Sequence, residues 1–347
     1  MKTLEEIRKE QEPLLRIIGP LRVANADLYE DVLCYPIEKL LKLAELDMRM
    51  SRDPSPENME AFKKLADEIR ANPLPDAPET VYLWPDGNMP EESGYTDNSH
   101  YWFNRNPDFK PYLHASLVPE DVTPKGAVIL CAGGGHGAAC LSEGGQVSRE
   151  LNALGYQCFH LLNRPNMNPW SGAEAAADCA RAIRYIRKNA AKFRIPENHV
   201  AFAGFSNGGL TGEQLVQWCS GSLTVKDRFP AYQPDELDEY SATPDAFLNI
   251  YGPRFLDTTF SPDFVWNEKV SYPPTLVVVG EADFNIPNLN PYVQDLRDHG
   301  VIVEMHTFAG APHGLAGAAV RGPLKFPSFQ LWLPIADAFM DYVYSLN

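Results

Sequence analysis

Short apolar runs alternate with amphipathic segments through most of this chain, and that alternation leaves few folds open to it. The runs fall at residues 126–131, 155–162, 199–203, 246–251, 275–279 and 301–306. Helical segments lie between and after them, at 173–193, 210–220, 291–298 and 329–346. A strand with one wet face alternates polar and apolar residues, whereas a strand covered on both faces reads as a continuous apolar run, as in Ala127-Val128-Ile129-Leu130-Cys131. The pattern predicts an α/β architecture, a mostly parallel central sheet with helices on both faces. Two further strands, at 81–84 and 112–118, precede this set.

The first 72 residues have another texture and read as largely helical. Residues 28–50 carry Val32, Leu33, Ile37, Leu40, Leu41, Leu43 and Leu46 at helical spacing, with Pro36 placed to kink or split the helix. Residues 57–71 form a second amphipathic helix bearing Met59, Phe62, Leu65 and Ile69. The Pro-rich stretch 72–78 is a linker. The chain is therefore expected to divide into a helical N-terminal segment with its linker, 1–78, and a larger domain, 79–347.

Charge removes several function classes. The formal net charge is −16, and Lys and Arg are nowhere clustered, so neither nucleic acid nor an anionic membrane is an expected partner. No apolar run is long enough to span a bilayer, and residues 1–10 read as the start of a charged helix rather than a secretory signal. A cytoplasmic protein is the expectation. The six cysteines are scattered without a C-x-x-C pair, which argues against disulfides and against zinc held by cysteine. No cofactor or metal is implied.

Chemistry concentrates at Gly204-Phe205-Ser206-Asn207-Gly208, which fits G-x-S-x-G between a strand and a helix. A serine on such a sharp turn has its hydroxyl pushed clear of the backbone, and the flanking glycines allow the crowding. A nucleophile needs a base and an orienting acid, in chain order Ser, Asp, His for this kind of sheet. Asp283 lies in the loop after the strand at 275–279, with Glu281 as its nearest competitor. His313 lies in a Gly/Pro-bounded loop after the last strand. Of the other histidines, His136 belongs to the glycine loop, and the rest read as core, strand, helix-end or upstream residues. That loop, Gly133-Gly134-Gly135-His136-Gly137, follows a buried strand, and its glycines let backbone N–H groups face a ligand. Gly134 or Gly135 is one candidate oxyanion donor, and the backbone of Asn207 is the other. The competing reading is a phosphate-binding loop, which would lack the usual G-K-[ST] ending and G-x-G-x-x-G spacing.

From about residue 81 onward the chain resembles α/β-hydrolase esterases, especially bacterial acetyl esterases and acetylxylan-esterase-like proteins. The resemblance is carried by residues 83–90, the Gly133–Gly135 loop, Leu162-Asn163-Arg164, Asp178 with Arg181 through Arg187, the serine motif, Pro273-Pro274, Asp283 with Ile286-Pro287, and His313-Gly314. It implies an α/β-hydrolase fold, a Ser206–Asp283–His313 triad, and a structural rather than catalytic ion pair between Asp178 and Arg164. It further implies an esterase for small carboxylic esters, with O-acetyl groups on carbohydrate as a natural substrate. A lactonase or peptidase using the same triad, or a ligand-binding protein that has lost the chemistry, are the alternatives. Two departures stand out. Asn207 occupies a position where such esterases often carry alanine, and residues 1–71 lie outside the resemblance. Those residues could cap the sheet's C-terminal edge, mediate homo-oligomerisation, or simply cover apolar surface. Trp84, Tyr101, Trp102, Trp170 and Trp266 are candidates for stacking on a substrate ring, each with core or loop packing as the plainer role.

Overall fold

The computed structural model describes residues 2–18, 34–75, 77–78, 80–91, 110–134, 143–164, 172–253, 264–316 and 326–346. Within them, one sheet runs in the order β1-β2-β4-β3-β5-β6-β7-β8. Its strands are β1 (Thr80–Tyr82), β2 (Tyr112–Ser116), β3 (Gly126–Cys131), β4 (Tyr156–Leu162), β5 (Val200–Phe205), β6 (Ala246–Ile250), β7 (Thr275–Gly280) and β8 (Val303–Phe308). The β1–β2 and β2–β4 pairings are antiparallel; all others are parallel. Every residue of β3, β4, β5, β6 and β7 is buried, as continuous apolar runs require when helices cover both faces.

The period of two along the strands sorts the core into two layers. Val128 and Leu130 of β3, with Ala201, Ala203 and Phe205 of β5, face helices α4 (Gly145–Asn152), α9 (Ile286–Asp298) and α10 (Trp332–Tyr344). Ala127, Ile129 and Cys131, with Phe202 of β5, face α5 (Ala173–Lys188), the short α6 (Ala190–Phe193), α7 (Asn207–Cys219) and the short α8 (Val225–Arg228). The sequence reading merges α5 and α6 into one helix; Asn189 ends α5 with its N–H reaching back to Tyr185 O and Ile186 O, and α6 restarts at once.

The N-terminal segment contributes α1 (Leu4–Ile18), α2 (Ile37–Arg52) and α3 (Pro56–Ala71). Pro36 is the N-cap of α2, so it starts that helix, and the expected helical residues 28–33 lie outside the described residues. Ser55 caps α3 by accepting the N–H of Asn58, with Pro56 at the first position. On the described residues this segment lies against α4 and β2. Arg8 bonds Glu150 at 2.9 Å, Arg149 bonds Glu10 at 2.9 Å, and Cys34 Sγ lies 3.8 Å from His114 Nδ1. Among the described residues no helix is long and apolar enough to cross a membrane.

Candidate active site

The serine motif is built as steric necessity dictates. β5 ends at Phe205 and α7 begins at Asn207, so Ser206 alone makes the turn, at φ 50° and ψ −118°. That conformation costs a residue with a Cβ on the order of 1–3 kcal/mol and persists only where the surroundings enforce it. Here Ser206 N–H donates to Ile250 O at 3.0 Å, which ties the turn to the end of β6. A Cβ on Gly204 would lie 2.4 Å from Gly208 O, and one on Gly209 would lie 2.6 Å from the Gly252 Cα. Glycine is required at both positions because backbone meets backbone there.

The same turn brings the other candidates together. Ser206 Oγ lies 2.8 Å from His313 Nε2, and His313 Nδ1 lies 2.8 Å from Asp283 Oδ2. Asp283 is 3% exposed, and its other oxygen accepts the Asn285 N–H at 2.8 Å. Glu281, the competing acid, points elsewhere and accepts the Gly310 N–H at 2.9 Å. The loops bearing Asp283 and His313 are locked to each other at Gly280, where a Cβ would lie 1.9 Å from Ala311 O, and by Ala282 N–H donating to Ala311 O at 3.0 Å.

Gly133 is pressed onto the serine, since a Cβ there would lie 2.6 Å from Ser206 Cβ. Its N–H donates to Glu143 Oε2 at 2.7 Å, so that donor is already committed. Gly134 follows at φ 129°, a conformation open to glycine. Gly135 and His136 lie outside the described residues. Asn207 occupies the first position of α7, where backbone N–H groups have no partner within the helix and the dipole favours negative charge.

The remaining described histidines are engaged away from Ser206. His114 bonds Thr80 Oγ1 at 2.9 Å, and His199 Nδ1 lies 3.0 Å from Lys125 O with its ring stacked on Tyr344. His299 stacks on Trp266, His306 pairs with Glu304, and His160 is buried on β4. Trp84 donates to Asp178 at 2.7 Å beneath Arg181, and Trp266 donates to Asp295 at 2.9 Å, so both indoles serve packing. Tyr101, Trp102 and Trp170 lie outside the described residues. Arg164 and Asp178 are both fully buried and bond at 2.8 Å, and Arg164 also donates to the backbone oxygens of Pro90, Glu91 and Glu174. The pair thus secures three chain segments and does not reach the serine.

Three residues at the site carry no sequence signal. Glu143 is buried beside the glycine loop. Tyr251 packs edge-to-face on His313 with ring centroids 4.8 Å apart. Phe284 is 66% exposed, and its ring lies 4.4 Å from that of His313. Each acts through a contact distant in sequence, which no local pattern encodes.

Strand order, the lone turn residue at Ser206 and the acid and histidine beyond β7 and β8 together describe one known architecture. Residues 172–317 match a family model described as the alpha/beta hydrolase fold. The chain has the α/β-hydrolase fold. Similar solved structures include an esterase and a bifunctional hydrolase. An acetyl ester-xyloside bifunctional hydrolase from Caldicellulosiruptor lactoaceticus aligns with TM-score 0.58 and 22% identity, covering 76% of this chain and 96% of that one. A thermophilic esterase from Thermogutta terrifontis with propionate bound aligns with TM-score 0.56 and 18% identity, covering 77% and 94%. The same esterase phosphorylated by paraoxon aligns with TM-score 0.57 and 17% identity, covering 78% and 96%. In sequence, an endo-1,4-β-xylanase B of Butyrivibrio fibrisolvens is 26% identical over 67% of this chain. The match spans 38% of that protein's own length. The fold expected from the residues is the fold observed, and the expected resemblance to α/β-hydrolase esterases holds.

Proposed function

We propose that this α/β hydrolase is a serine carboxylic ester hydrolase that works through an acyl-enzyme on Ser206. The observation that carries the reading is the unbroken relay from Ser206 Oγ through His313 to Asp283, with both contacts at 2.8 Å. His313 Nε2 takes the hydroxyl proton as Oγ attacks the ester carbonyl. Buried Asp283 holds the histidine tautomer that keeps Nε2 free to accept, and stabilises the imidazolium. The imidazolium then returns the proton to the leaving alkoxide, and water releases the acid in the reverse sequence. Because the Gly133 N–H is bonded to Glu143, the oxyanion is assigned to the N–H of Asn207 and that of Gly134 or Gly135. Each such donor is worth roughly 3 kcal/mol.

The substrate is a small ester, with O-acetyl groups on carbohydrate as the first choice. Two likenesses support this: the bifunctional hydrolase named for acetyl esters and xylosides, and the xylanase that shares part of its length with this chain. The propionate-bound neighbour supports a short acyl group. Residues 79–347 form the catalytic unit, and residues 1–78 flank it.

Fluorophosphonate labelling followed by peptide mapping tests the nucleophile, and acetate release from acetylated xylo-oligosaccharides and p-nitrophenyl acetate tests the activity. The label is expected on Ser206, and Ser206→Ala is expected to lose roughly 10⁴-fold or more in kcat while staying folded. A wild-type protein that neither takes the label nor releases acetate would end this reading.

A further inference from the structure

We infer that Glu143 and Tyr251 form a buried positioning pair that sets the glycine loop and His313 in register with Ser206. The inference rests on the esterase reading and concerns residues outside the proposed triad and oxyanion hole.

Glu143 is 1% exposed, and among the described residues its carboxylate meets two donors. Oε2 accepts the Gly133 N–H at 2.7 Å, and Oε1 accepts the Tyr251 hydroxyl at 2.5 Å. A carboxylate has no proton of its own to give, so it suits a place where two donors converge. Through the first bond it holds the glycine loop against Ser206, since a Cβ on Gly133 would lie 2.6 Å from the Ser206 Cβ.

Tyr251 is the point where the other loops meet. It follows β6 directly and is fully buried at φ 44°, the left-handed region that a bulky residue avoids unless its surroundings enforce it. Its neighbour Ile250 accepts the Ser206 N–H at 3.0 Å. Its own carbonyl accepts the Asn285 side-chain amide at 2.9 Å, and the Asn285 backbone N–H bonds Asp283. Its hydroxyl accepts the Ala316 N–H at 3.2 Å, just beyond His313, while its ring meets the His313 ring at an interplanar angle of 61°. The loops that carry the acid and the base therefore bond Tyr251 itself, the turn of Ser206 bonds the residue before it, and Glu143 links the tyrosine to the glycine loop. A filler of the core would need neither the strained backbone nor the convergence of these bonds on the site.

Tyr251→Phe keeps the ring on His313 and removes the hydroxyl; Glu143→Gln keeps the shape and removes one acceptor. Active serines are titrated to completion with a fluorophosphonate, and kcat per titrated serine is measured on p-nitrophenyl acetate. Each variant is expected to lose between about ten- and a hundredfold in kcat per site, the scale of a small misplacement of reacting groups. KM is expected to stay within about twofold. The double variant is expected to match the worse single variant, because the two groups act as a unit. A role in packing alone would lower the melting temperature and the titratable fraction while leaving kcat per site unchanged, and that result overturns the inference. Losses that multiply in the double variant overturn the pairing. Should one variant not fold, kcat per site in the other still decides whether that group positions the site or only packs. If the wild-type chain turns over no ester, the esterase reading falls first and takes this inference with it. If the wild type is active, only the inference is at risk.

Discussion

Gly208 and Cys131 meet so closely that a Cβ on the glycine would lie 1.9 Å from the Cys131 carbonyl oxygen. The first turn of α7 therefore rests directly on the end of β3, with no room for a side chain between them. This contact places Ser206 beside the glycine loop that follows β3, so the proposed nucleophile and the proposed oxyanion donors are set by one backbone approach. Gly208→Ala is expected to force the helix off the strand. The cost is at least the ~1–3 kcal/mol of ordinary overpacking, since the obstructing atoms are backbone and cannot rotate away. A lower melting temperature together with slowed fluorophosphonate labelling is the expected result. Labelling at the wild-type rate would show that the approach does not set the nucleophile.

The buried ion pair of Arg164 and Asp178 predicts a stability effect without a catalytic one. Asp178→Asn leaves the guanidinium buried among backbone carbonyls with its charge uncompensated. Removing one partner of such a pair costs about 3–5 kcal/mol. The urea midpoint is expected to fall accordingly, while the protein that remains folded keeps its KM and kcat. A variant with normal stability and lost turnover would instead place the pair in the chemistry.

The pairing of Arg181 with Asp235 predicts how part of the stability responds to acid. The two bond in bidentate fashion, at 2.7 Å for each contact, and the Leu237 N–H adds a third bond to the carboxylate. The hydrogen bonds from Arg181, opposed by partial burial and helped by Leu237, hold the Asp235 carboxyl below its ordinary value of 3.8. A depressed acid contributes stability above its unfolded-state value and loses it as pH falls through the folded one. Asp235→Asn is thus expected to destabilise by about 1–2 kcal/mol at neutral pH, the scale of a charge-assisted bond partly open to water. The gap from wild type should close as pH is taken below 3.8. Parallel urea titrations across that range measure it, and a gap constant with pH would assign the loss to packing.

The parts of the site that the sequence made legible are those encoded locally. G-x-S-x-G, the acid beyond β7 and the histidine beyond β8 each sit within a few residues of the strand that presents them. Element boundaries were less legible, for identifiable reasons. Gly208 and Gly209 have low helix propensity, which delays the expected start of α7 to residue 210, whereas the close approach to β3 and β6 needs those glycines inside the helix. The sequence pattern starts α9 at Pro291, but the helix begins at Ile286 with Pro287 in its first turn, and Pro291 lies inside it. The sequence pattern puts the last strand at 301–306, whereas it lies at Val303–Phe308, because pairing with β7 sets its register from Thr275 opposite Val303. Glu143 and Tyr251 are separated by 108 residues and meet only in the folded chain, so no window of sequence could have paired them.

Phe284 offers a test of which side of the substrate the chain reads. Its ring lies 4.4 Å from that of His313 and is 66% exposed, although large apolar residues are more often covered. In the proposed mechanism His313 Nε2 returns its proton to the leaving oxygen, so a ring packed on His313 borders the space that the leaving group occupies. A flat apolar face there favours leaving groups that are themselves rings, such as a pyranose presenting C–H bonds or an aryl group. Ring contacts of this kind are worth about 0.5–1.5 kcal/mol, which is roughly two- to tenfold in kcat/KM. Phe284→Ala is therefore expected to lose that factor on phenyl acetate and acetylated xylosides while methyl acetate is turned over as before. Methyl acetate is the control for any loosening of His313, since a displaced base would slow all esters alike. A uniform loss would make Phe284 a support for the histidine, and equal rates on every ester would leave its exposed ring outside the substrate's reach.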